Sequence, residues 1–579
     1  ILYNYDNEKI KPYYYSVFLS DYDIEVKYVP SHQSALYQLD FRTGQPGLLI
    51  GATNGELHVE KNKVFGYQQI GSYETRVYLY LETDVVPLQT EEGNTVVMKF
   101  PENDKRINLR YGISFISVDQ AKKNMEREVA GKDLETLTRT GRTIWNDALG
   151  KIQVKGNCED SKTIFYTSLY RTYERMVCLS EDGQYYSAFD NQVHQDSGVP
   201  FYTDDWIWDT YRATHPLRIL LEPEREKYMI QSFIRMAGQI KHFWMPTFPE
   251  ITGDSRRMNS NHGVATVLDA YVKGIRTYDV EKAYRYAVNT SRHFGNDSLG
   301  YIPEPLSIST TLEYAYTDWC ISQVAQAMGK NEDARYFYEK GQAYHNIFDK
   351  EKGWFRPRKA DGSWVAWPEN ARLKEWYGCI EANSYQQGWF VPHDVSGMVE
   401  LMGGKEKVIE DLIYFFSKTP SNMLWNEYYN HANEPVHFVP FLFNQLAVPW
   451  HTQKWTRYTC EKAYANKVEG IVGNEDVGQM SAWYVLAASG IHPSCPGNTR
   501  MEITSPVFDE VEFALDPAYY SGKKFTVIAH DNSVDNVYIQ KALLNGKEYN
   551  KCYLDFTDIV SGGTLELFMG DTPNKEWGI

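Results

Sequence analysis

The segment GNEDVGQMSAWYVLAASGIHP, residues 473–493, closes a long series of helical patterns that decides the fold of this chain. A glycine and an acidic pair, Glu475 and Asp476, stand before its apolar run. Acids are common at a helix start, because a carboxylate complements the positive end of the helix dipole. We therefore expect a helix to begin here with Asp476 as its cap. Whether Asp476 also has a catalytic role depends on the residues around it.

Helical patterns recur from about residue 160 to about residue 490, at intervals of roughly 20 to 30 residues. Roughly twelve such segments, taken in consecutive pairs, predict an (α/α)6 barrel whose loops build a cleft. Alternating and β-branched residues before and after this region predict strands. The predicted domains are an N-terminal β-sandwich over 1–118, a helical linker over 119–150, a catalytic barrel over 151–495 and a short C-terminal β segment over 496–579.

The composition argues against several classes of function. The chain has 579 residues, of which 15% are aromatic, and a formal net charge of −17. A chain this acidic is a poor candidate for nucleic acid or an anionic membrane, which attract clustered Lys and Arg. No segment reaches about 18 consecutive apolar residues, so the sequence predicts no membrane-spanning helix. The seven cysteines form no CxxC pair, which argues against a zinc site.

Polar clusters in the loops between the helical segments indicate a sugar site. They mix carboxylate, amide or His with Trp or Tyr, which suits a ligand with many hydroxyl groups. Besides the opening segment, these clusters are residues 201–212, 260–265, 379–394 and 431–441.

Cleavage of a glycosidic bond requires one protonated and one ionised carboxyl group. Glu381 stands in the apolar sequence CIEA, where burial would raise its pKa, whereas Asp476 stands at a predicted helix start, where N–H groups would keep it ionised. These two residues are therefore the best candidates for acid and base.

Local sequence also allows structural roles for the candidates. Asp476 alone is more often a cap than a catalyst, and Glu381 would equally suit a buried ion pair. His262 and His437 are either core histidines or ligands of sugar hydroxyls. Asp209, which follows Trp208, is either a helix cap or a sugar contact.

Four segments make the predicted function more specific, because they resemble one known family, and strand segments of the C-terminal tail resemble the same family. The segments are EANSYQQGWFVPHDVSGMVELMGG, NEPVHFVPFLFNQLAVPWHTQ, GNEDVGQMSAWYVLAASGIHP and WDTYRATHPL. They resemble the signature blocks of the calcium-dependent exo-α-mannosidases, glycoside hydrolase family 92. The resemblance implies an N-terminal β-sandwich packed on an (α/α)6 barrel, with the active site between them. It also implies hydrolysis of non-reducing terminal α-mannose from glycans, with inversion.

The resemblance assigns roles residue by residue. Glu381, in the Glu-Ala-Asn equivalent of the family's EGN motif, is the expected general acid, and Asp476 is the expected general base. A bound Ca²⁺ is expected to contact the 2- and 3-hydroxyls of the sugar. The expected calcium ligands are Asn383, Glu434 and Asp476. The expected sugar-binding residues are Trp208, Asp209, His262, Asn383 and His437.

The chain departs from the family pattern at Ala382 and at Tyr385-Gln386-Gln387, so its linkage or leaving group is expected to differ. The sandwich is expected to be truncated at its start. Two alternatives stay open: a hydrolase of mannosyl phosphodiesters on the same scaffold, and an inactive glycan-binding relative. By analogy with the family, we expect an extracytoplasmic protein.

Overall fold

The computed structural model describes residues 2–91, 93–156, 158–259 and 261–579. The described chain forms two compact units. The first, called the β unit, contains the residues up to Gly150 together with Cys178–Tyr202 and Ile251–Gly253. The second, called the helical unit, contains Lys151–Val177, Thr203–Glu250 and Asp254–Ile579.

The β unit contains a larger and a smaller antiparallel sheet, with strand orders β1-β2-β3-β4-β11-β8-β7-β6 and β5-β10-β9. These strands are β1 Lys9–Lys11, β2 Tyr14–Leu19, β3 Ile24–Pro30, β4 Ser34–Phe41, β5 Gly47–Gly51, β6 Gly55–Glu60, β7 Lys63–Gln69, β8 Arg76–Thr83, β9 Gln89–Glu91, β10 Thr95–Lys99 and β11 Arg106–Ser114.

The core of the β unit lies between these two sheets. Successive side chains of a strand point to opposite faces of a sheet, so alternate residues share one face. Leu81 of β8 and Leu109 of β11 belong to one buried cluster with Val96 and Met98 of β10. Apolar residues of both sheets thus meet in one layer, which is the arrangement of a β-sandwich.

The other face of the larger sheet is covered by helices α1 (Val118–Glu128) and α2 (Leu134–Leu149). Tyr80 of β8 shares a buried cluster with Ala121 of α1 and Leu137 of α2. The charged segment that we predicted as one linking helix is therefore two helices that complete the β unit. The break contains Gly131, whose φ of +69° suits glycine better than other residues.

The helical unit contains the other α-helices of the described residues. They are α3 Glu159–Arg171, α4 Ile207–Thr210, α5 Thr214–Leu221, α6 Pro223–Gln239, α7 Gly263–Val272, α8 Val280–Phe294, α9 Ser307–Ala327, α10 Asn331–Lys340, α11 Ser384–Gln387, α12 Val395–Leu401, α13 Lys405–Ser417, α14 Leu442–Gln445, α15 Pro449–Lys462, α16 Gln479–Ala488 and α17 Phe556–Val560. Every residue of α16 is buried, as expected for a helix that is apolar on all sides.

Strands close the chain, and one strand from the start of the helical unit joins them. β12 precedes α3 and pairs with β23 in a sheet of order β12-β23-β24-β28-β25-β26. The remaining strands are β12 Ile152–Lys155, β13 Val177–Cys178, β14 Gln184–Ser187, β15 Gln192–Gln195, β16 Tyr202–Thr203, β17 Pro249–Glu250, β18 Gly253–Asp254, β19 Phe348–Asp349, β20 Trp354–Phe355, β21 Ile491–Pro493, β22 Arg500–Ile503, β23 Glu510–Ala514, β24 Lys524–His530, β25 Tyr538–Leu544, β26 Lys547–Glu548, β27 Tyr553–Asp555 and β28 Gly563–Gly570.

The order of N-terminal sheets, helical region and C-terminal strands confirms the predicted fold class. The domain boundaries assigned from the sequence stay a prediction. Over the described ranges, every helix is too short or too polar to cross a lipid bilayer.

Gly112 of β11 allows α1 to approach the sheet closely. A Cβ at this position would stand 2.1 Å from the carbonyl oxygen of Ala121 in α1. We expect Gly112→Ala to lower the free energy of unfolding by about 3 kcal/mol, because the helix would have to move off the sheet. The matched control is Gly51→Ala, whose Cβ would meet its nearest atom at 3.7 Å. Chemical denaturation that gives the same loss for both variants would contradict this close packing.

Candidate active site

A cavity of about 390 Å³ in the helical unit brings together the two predicted catalytic residues. It is rich in carboxylates and aromatic rings, as expected for a site that binds sugar hydroxyls and ring faces. Its walls contain Trp206, Trp208, Asp209, Phe248, Arg257, Met258, Glu375, Trp376, Glu381, Trp425, Asn433, Glu434, Asn474 and Asp476. Glu381 and Asp476, which are far apart in the sequence, thus line one cavity.

Asp476 lies in a strained turn directly before α16. Asp476, Val477 and Gly478 all have positive φ angles, of 52°, 51° and 103°. Such conformations disfavour L side chains and often occur at functional sites. The turn places Asp476 in the wall of the cavity.

The N-cap residue of α16 is Gly478, and the side chain that caps the N–H groups at this turn is Glu475 and not Asp476, so our expectation for the cap was wrong. The Glu475 carboxylate accepts hydrogen bonds from Gly478 N at 2.5 Å and Ser481 N at 3.3 Å. The backbone N–H groups that we expected to keep Asp476 ionised are therefore taken by its neighbour. Burial raises the pKa of Glu475 to about 7, although these hydrogen bonds act to lower it.

Glu381 lies on the loop before α11, with a φ of +49°. Asn433, from another wall of the cavity, donates a hydrogen bond from Nδ2 to the Glu381 carbonyl oxygen at 2.9 Å. Burial raises the pKa of Glu381, the negative charge of Asp476 raises it further, and Asn433 acts to lower it. The protonated form that a general acid requires is thus favoured, as the apolar sequence around Glu381 predicts.

Three acids meet at one side of the cavity. One carboxylate oxygen from each of Asp209, Glu434 and Asp476 lies within 4.8 Å of the others. Glu434 is 1% exposed, and apart from the other acids neither of its carboxylate oxygens has a hydrogen-bond partner in the described part of the chain. Burial is the main cause that raises the pKa of Glu434 and of Asp209, and the neighbouring carboxylates raise it further.

Arg212 is the positive charge that opposes this cluster. It acts to lower the pKa of both Asp209 and Glu434. One guanidinium leaves an excess of buried negative charge beside three carboxylates, and hard cations bind oxygen ligands of this kind. The donor set of Asp209, Glu434 and Asp476 therefore fits a divalent cation.

Trp208 is fixed in the cavity wall by two interactions. Its indole Nε1 donates a hydrogen bond to Glu313 Oε1 at 3.0 Å, and the Arg212 guanidinium lies 5.5 Å from its ring centroid. Burial raises the pKa of Glu313 to about 7. The predicted sugar-binding pair Trp208 and Asp209 thus lies in the cavity on a rigid support.

Three other predicted site residues do not line this cavity. Asn383 is fully buried, and its side-chain oxygen accepts from Tyr385 N and Gln386 N, so that it caps α11. Because its side-chain nitrogen donates to Glu427 O, the whole amide is engaged in structural hydrogen bonds. Tyr385 and Gln386, where the chain departs from the family pattern, are buried and do not line the cavity.

The two histidines are buried away from the cavity. His437 Nε2 donates to the carbonyl oxygen of His431 at 3.0 Å, and its Nδ1 is 3.3 Å from Gln479 Nε2. Burial lowers the pKa of His437 to about 3, which keeps the ring neutral. His262 stacks on Tyr211 with ring centroids 4.1 Å apart. Both ring nitrogens of His262 are buried and have no hydrogen-bond partner among the described residues, so the structural alternative is favoured for His437 only. A sugar-binding role for either stays a prediction.

Sequence reasoning missed aromatic residues at the cavity mouth. Trp376 and Trp425 are 57% and 52% exposed although both line the cavity. Trp425 Nε1 donates to Glu375 Oε1 at 3.3 Å, which joins the two loops that carry these rings. The sequences KEWYG and MLWNEYYN, each just before a polar cluster that we did single out, were the available signal.

Comparisons with known proteins agree on one family. Residues 120–571 match the Glycosyl hydrolase family 92 catalytic domain, and residues 2–114 match the Glycosyl hydrolase family 92 N-terminal domain. A curated relative, an uncharacterized secreted glycosidase of Arthroderma benhamiae, is 28% identical over 528 residues. That match covers 82% of this chain but only 62% of the length of the relative.

Solved structures give the same result. The family GH92 inverting mannosidase of Bacteroides thetaiotaomicron VPI-5482 is 31% identical with a TM-score of 0.92, covering 100% of this chain and 85% of that one. A family GH92 α-mannosidase of Bacteroides thetaiotaomicron, solved in complex with mannoimidazole, is 27% identical with a TM-score of 0.91. The second match covers 100% of this chain and 83% of that one.

The Glu475 cap can be tested separately from any activity. We expect Glu475→Ala to lower the free energy of unfolding by about 1 kcal/mol, because two N–H groups at the start of α16 lose their acceptor. The matched control is Glu469→Ala, which removes an exposed carboxylate from the preceding loop. If chemical denaturation shows no larger loss for Glu475→Ala than for the control, the cap contributes nothing to stability.

Proposed function

The chain belongs to glycosyl hydrolase family 92, and from that premise we propose that it is an inverting, calcium-dependent exo-α-mannosidase acting on glycans. The observation that carries the proposal is the common cavity of Glu381, Asp476 and the acidic cluster. Support comes also from the two mannosidase structures that are similar over the whole chain.

Glu381 is the proposed general acid. Its carboxyl group is half-buried, and burial together with the charge of Asp476 raises its pKa, which favours the protonated form. The proton would pass from Glu381 to the glycosidic oxygen as the bond to the anomeric carbon breaks. The departing sugar then leaves as a neutral alcohol.

Asp476 is the proposed general base. Its carboxylate would accept a proton from a water molecule that attacks the anomeric carbon from the face opposite the leaving oxygen. A single displacement of this kind inverts the anomeric configuration. Burial raises the pKa of Asp476, whereas the hydrogen bond with Glu434 lowers it and so supports the ionised form.

Calcium is the cation that we propose for the acidic cluster, held by Asp209, Glu434 and Asp476. When bound, it would coordinate the 2- and 3-hydroxyls of mannose and favour flattening of the sugar ring. Asp209 replaces Asn383 in the ligand set that we predicted, because the amide of Asn383 is engaged in the cap of α11. Arg212 would balance part of the remaining charge of the cluster.

Trp376 and Trp425 are proposed to contact the part of the glycan that leaves. Their exposed rings at the cavity mouth offer flat apolar faces to the next sugar. An extracytoplasmic location is proposed as well, supported by the description of the fungal relative as secreted.

The role of Glu381 predicts a dependence on the leaving group. Glu381→Gln should reduce kcat/KM on a mannose disaccharide by about 10²–10⁴-fold, because no proton reaches the leaving oxygen. A dinitrophenyl mannoside, whose leaving group needs little protonation, should lose far less. The matched control is Glu375→Gln, which changes another carboxyl of the same cavity but keeps an oxygen that accepts from Trp425 Nε1. It should change kcat/KM on both substrates by the same factor. Equal losses on both substrates for Glu381→Gln would argue against an acid.

The acidic cluster predicts how calcium changes stability and activity. EDTA should abolish mannose release and calcium should restore it, while calcium at about a hundred times its Kd should stabilise the protein by about 2.7 kcal/mol. Asp209→Asn should weaken calcium binding, yet be at least as stable without calcium, because one of three repelling carboxylates is gone. Thermal unfolding with and without calcium measures both effects.

The matched control for this experiment is Asp571→Asn, which makes the same chemical change at an exposed position. It should keep the full calcium-induced shift in Tm. A shift for Asp209→Asn as large as that of the control would mean that calcium binds elsewhere.

A further inference from the structure

A second cavity, of about 470 Å³, lies in the helical unit between α9, α10 and the loop 295–302. In the described part of the chain, no residue of its wall also lines the candidate active site. Its volume falls in the range of about 300–1,000 Å³ that is usual for small-ligand sites. Neither the proposed mechanism nor the acidic cluster uses it.

The inner wall of this second cavity contains an unsatisfied acceptor. Asp318 of α9 is 4% exposed, and its Oδ1 has no hydrogen-bond partner among the described residues. Its Oδ2 lies 3.6 Å from Nζ of Lys340. Burial raises the pKa of Asp318 to about 6, and Lys340 and a hydrogen bond from Ser291 act to lower it. A buried polar atom without a partner costs free energy, which a ligand hydroxyl would recover.

Lys340 is already engaged by several protein groups. Its Nζ lies 2.8 Å from Asp297 Oδ1 and donates to Ser291 Oγ at 2.9 Å. The ammonium charge is thus offset within the wall, where Asp297, Asp318 and Glu339 supply more negative charge than Lys340 supplies positive charge. This negative wall would repel phosphorylated, sulfated or carboxylated ligands. A cationic ligand is also disfavoured, because the ammonium group of Lys340 already lies among the carboxylates.

Tyrosine rings form the apolar part of the wall. Tyr301 is buried, and its hydroxyl donates to Lys359 O at 2.7 Å. Tyr336 is 37% exposed, and its hydroxyl donates to Asp297 Oδ2 at 2.5 Å. These hydrogen bonds hold the rings in place, so that they offer flat apolar faces at little further cost in conformational entropy.

We propose that this cavity is a second, non-catalytic binding site for a neutral hexose of a glycan. Fixed aromatic rings suit the C–H face of a sugar, and the free oxygen of Asp318 suits a hydroxyl donor. The choice of mannose as that hexose rests on the proposed function, whereas the neutral sugar class rests on the cavity itself. A glycan held here as well as in the active site would gain from a raised effective concentration.

Tyr336→Ala removes the exposed ring of this wall together with its hydrogen bond to Asp297, whereas the buried side chains of the wall stay unchanged. The matched control is Tyr338→Ala, an exposed ring of the same helix that does not line the cavity. Binding of methyl α-mannoside is measured by calorimetry with the active site saturated by mannoimidazole. The wild-type protein and Tyr338→Ala should bind one further equivalent, and Tyr336→Ala should bind it about tenfold more weakly.

Absence of a further equivalent in the wild-type protein, or equal binding by both variants, would overturn the second site. Preference for mannose 6-phosphate over methyl α-mannoside would overturn the neutral ligand class.

Hydrolysis of an aryl mannoside, measured in parallel, should stay within about twofold of wild type in both variants, because that substrate is too small to reach both sites. If the wild-type protein lacks this hydrolysis but binds the further equivalent, the proposed function fails and the second site stands.

Discussion

The candidate site is organised around an excess of buried negative charge. Asp209, Glu434 and Asp476 come together where Arg212 supplies the opposing charge, and the pKa of all three acids is raised by burial. Such a cluster is unfavourable without either bound protons or a cation. The repulsion between these buried carboxylates lowers the free energy of unfolding. Such a loss of stability is typical of a ligand-binding site, where function requires it.

Local backbone strain aims the two proposed catalytic groups. Glu381 and Asp476 both have positive φ angles, and each comes a few residues before a helix in the wall of the helical unit. In both cases a neighbour caps the helix, Asn383 for α11 and Glu475 for α16. This division of labour leaves the carboxyl group of Glu381 and that of Asp476 free to face the cavity. Strain of this kind persists only where the surrounding structure holds it.

Much of this arrangement could be predicted from the sequence. The sheet–helix–sheet order, the family and the helix after Asp476 are confirmed, because periodicity and the long ordered blocks carry them. The cap was misplaced by one residue, because nothing in the sequence Glu475-Asp476 distinguishes the two side chains before the turn is known. Asn383 and His437 lie in two of the matching blocks, yet both are buried and neither lines the cavity. His262, which lies outside those blocks, is buried as well. Trp376 and Trp425 lie outside those blocks and reach the cavity only through the fold.

The central claim is that the acidic cluster is a cation site at one side of a sugar cavity. A crystal structure with calcium and a mannose mimic tests it most directly. The account predicts a single cation in this cavity with oxygen ligands from Asp209, Glu434 and Asp476 at about 2.3–2.6 Å, and the mimic between Glu381 and Asp476. A mimic that binds in the cavity while the three carboxylates contact no cation would contradict the account.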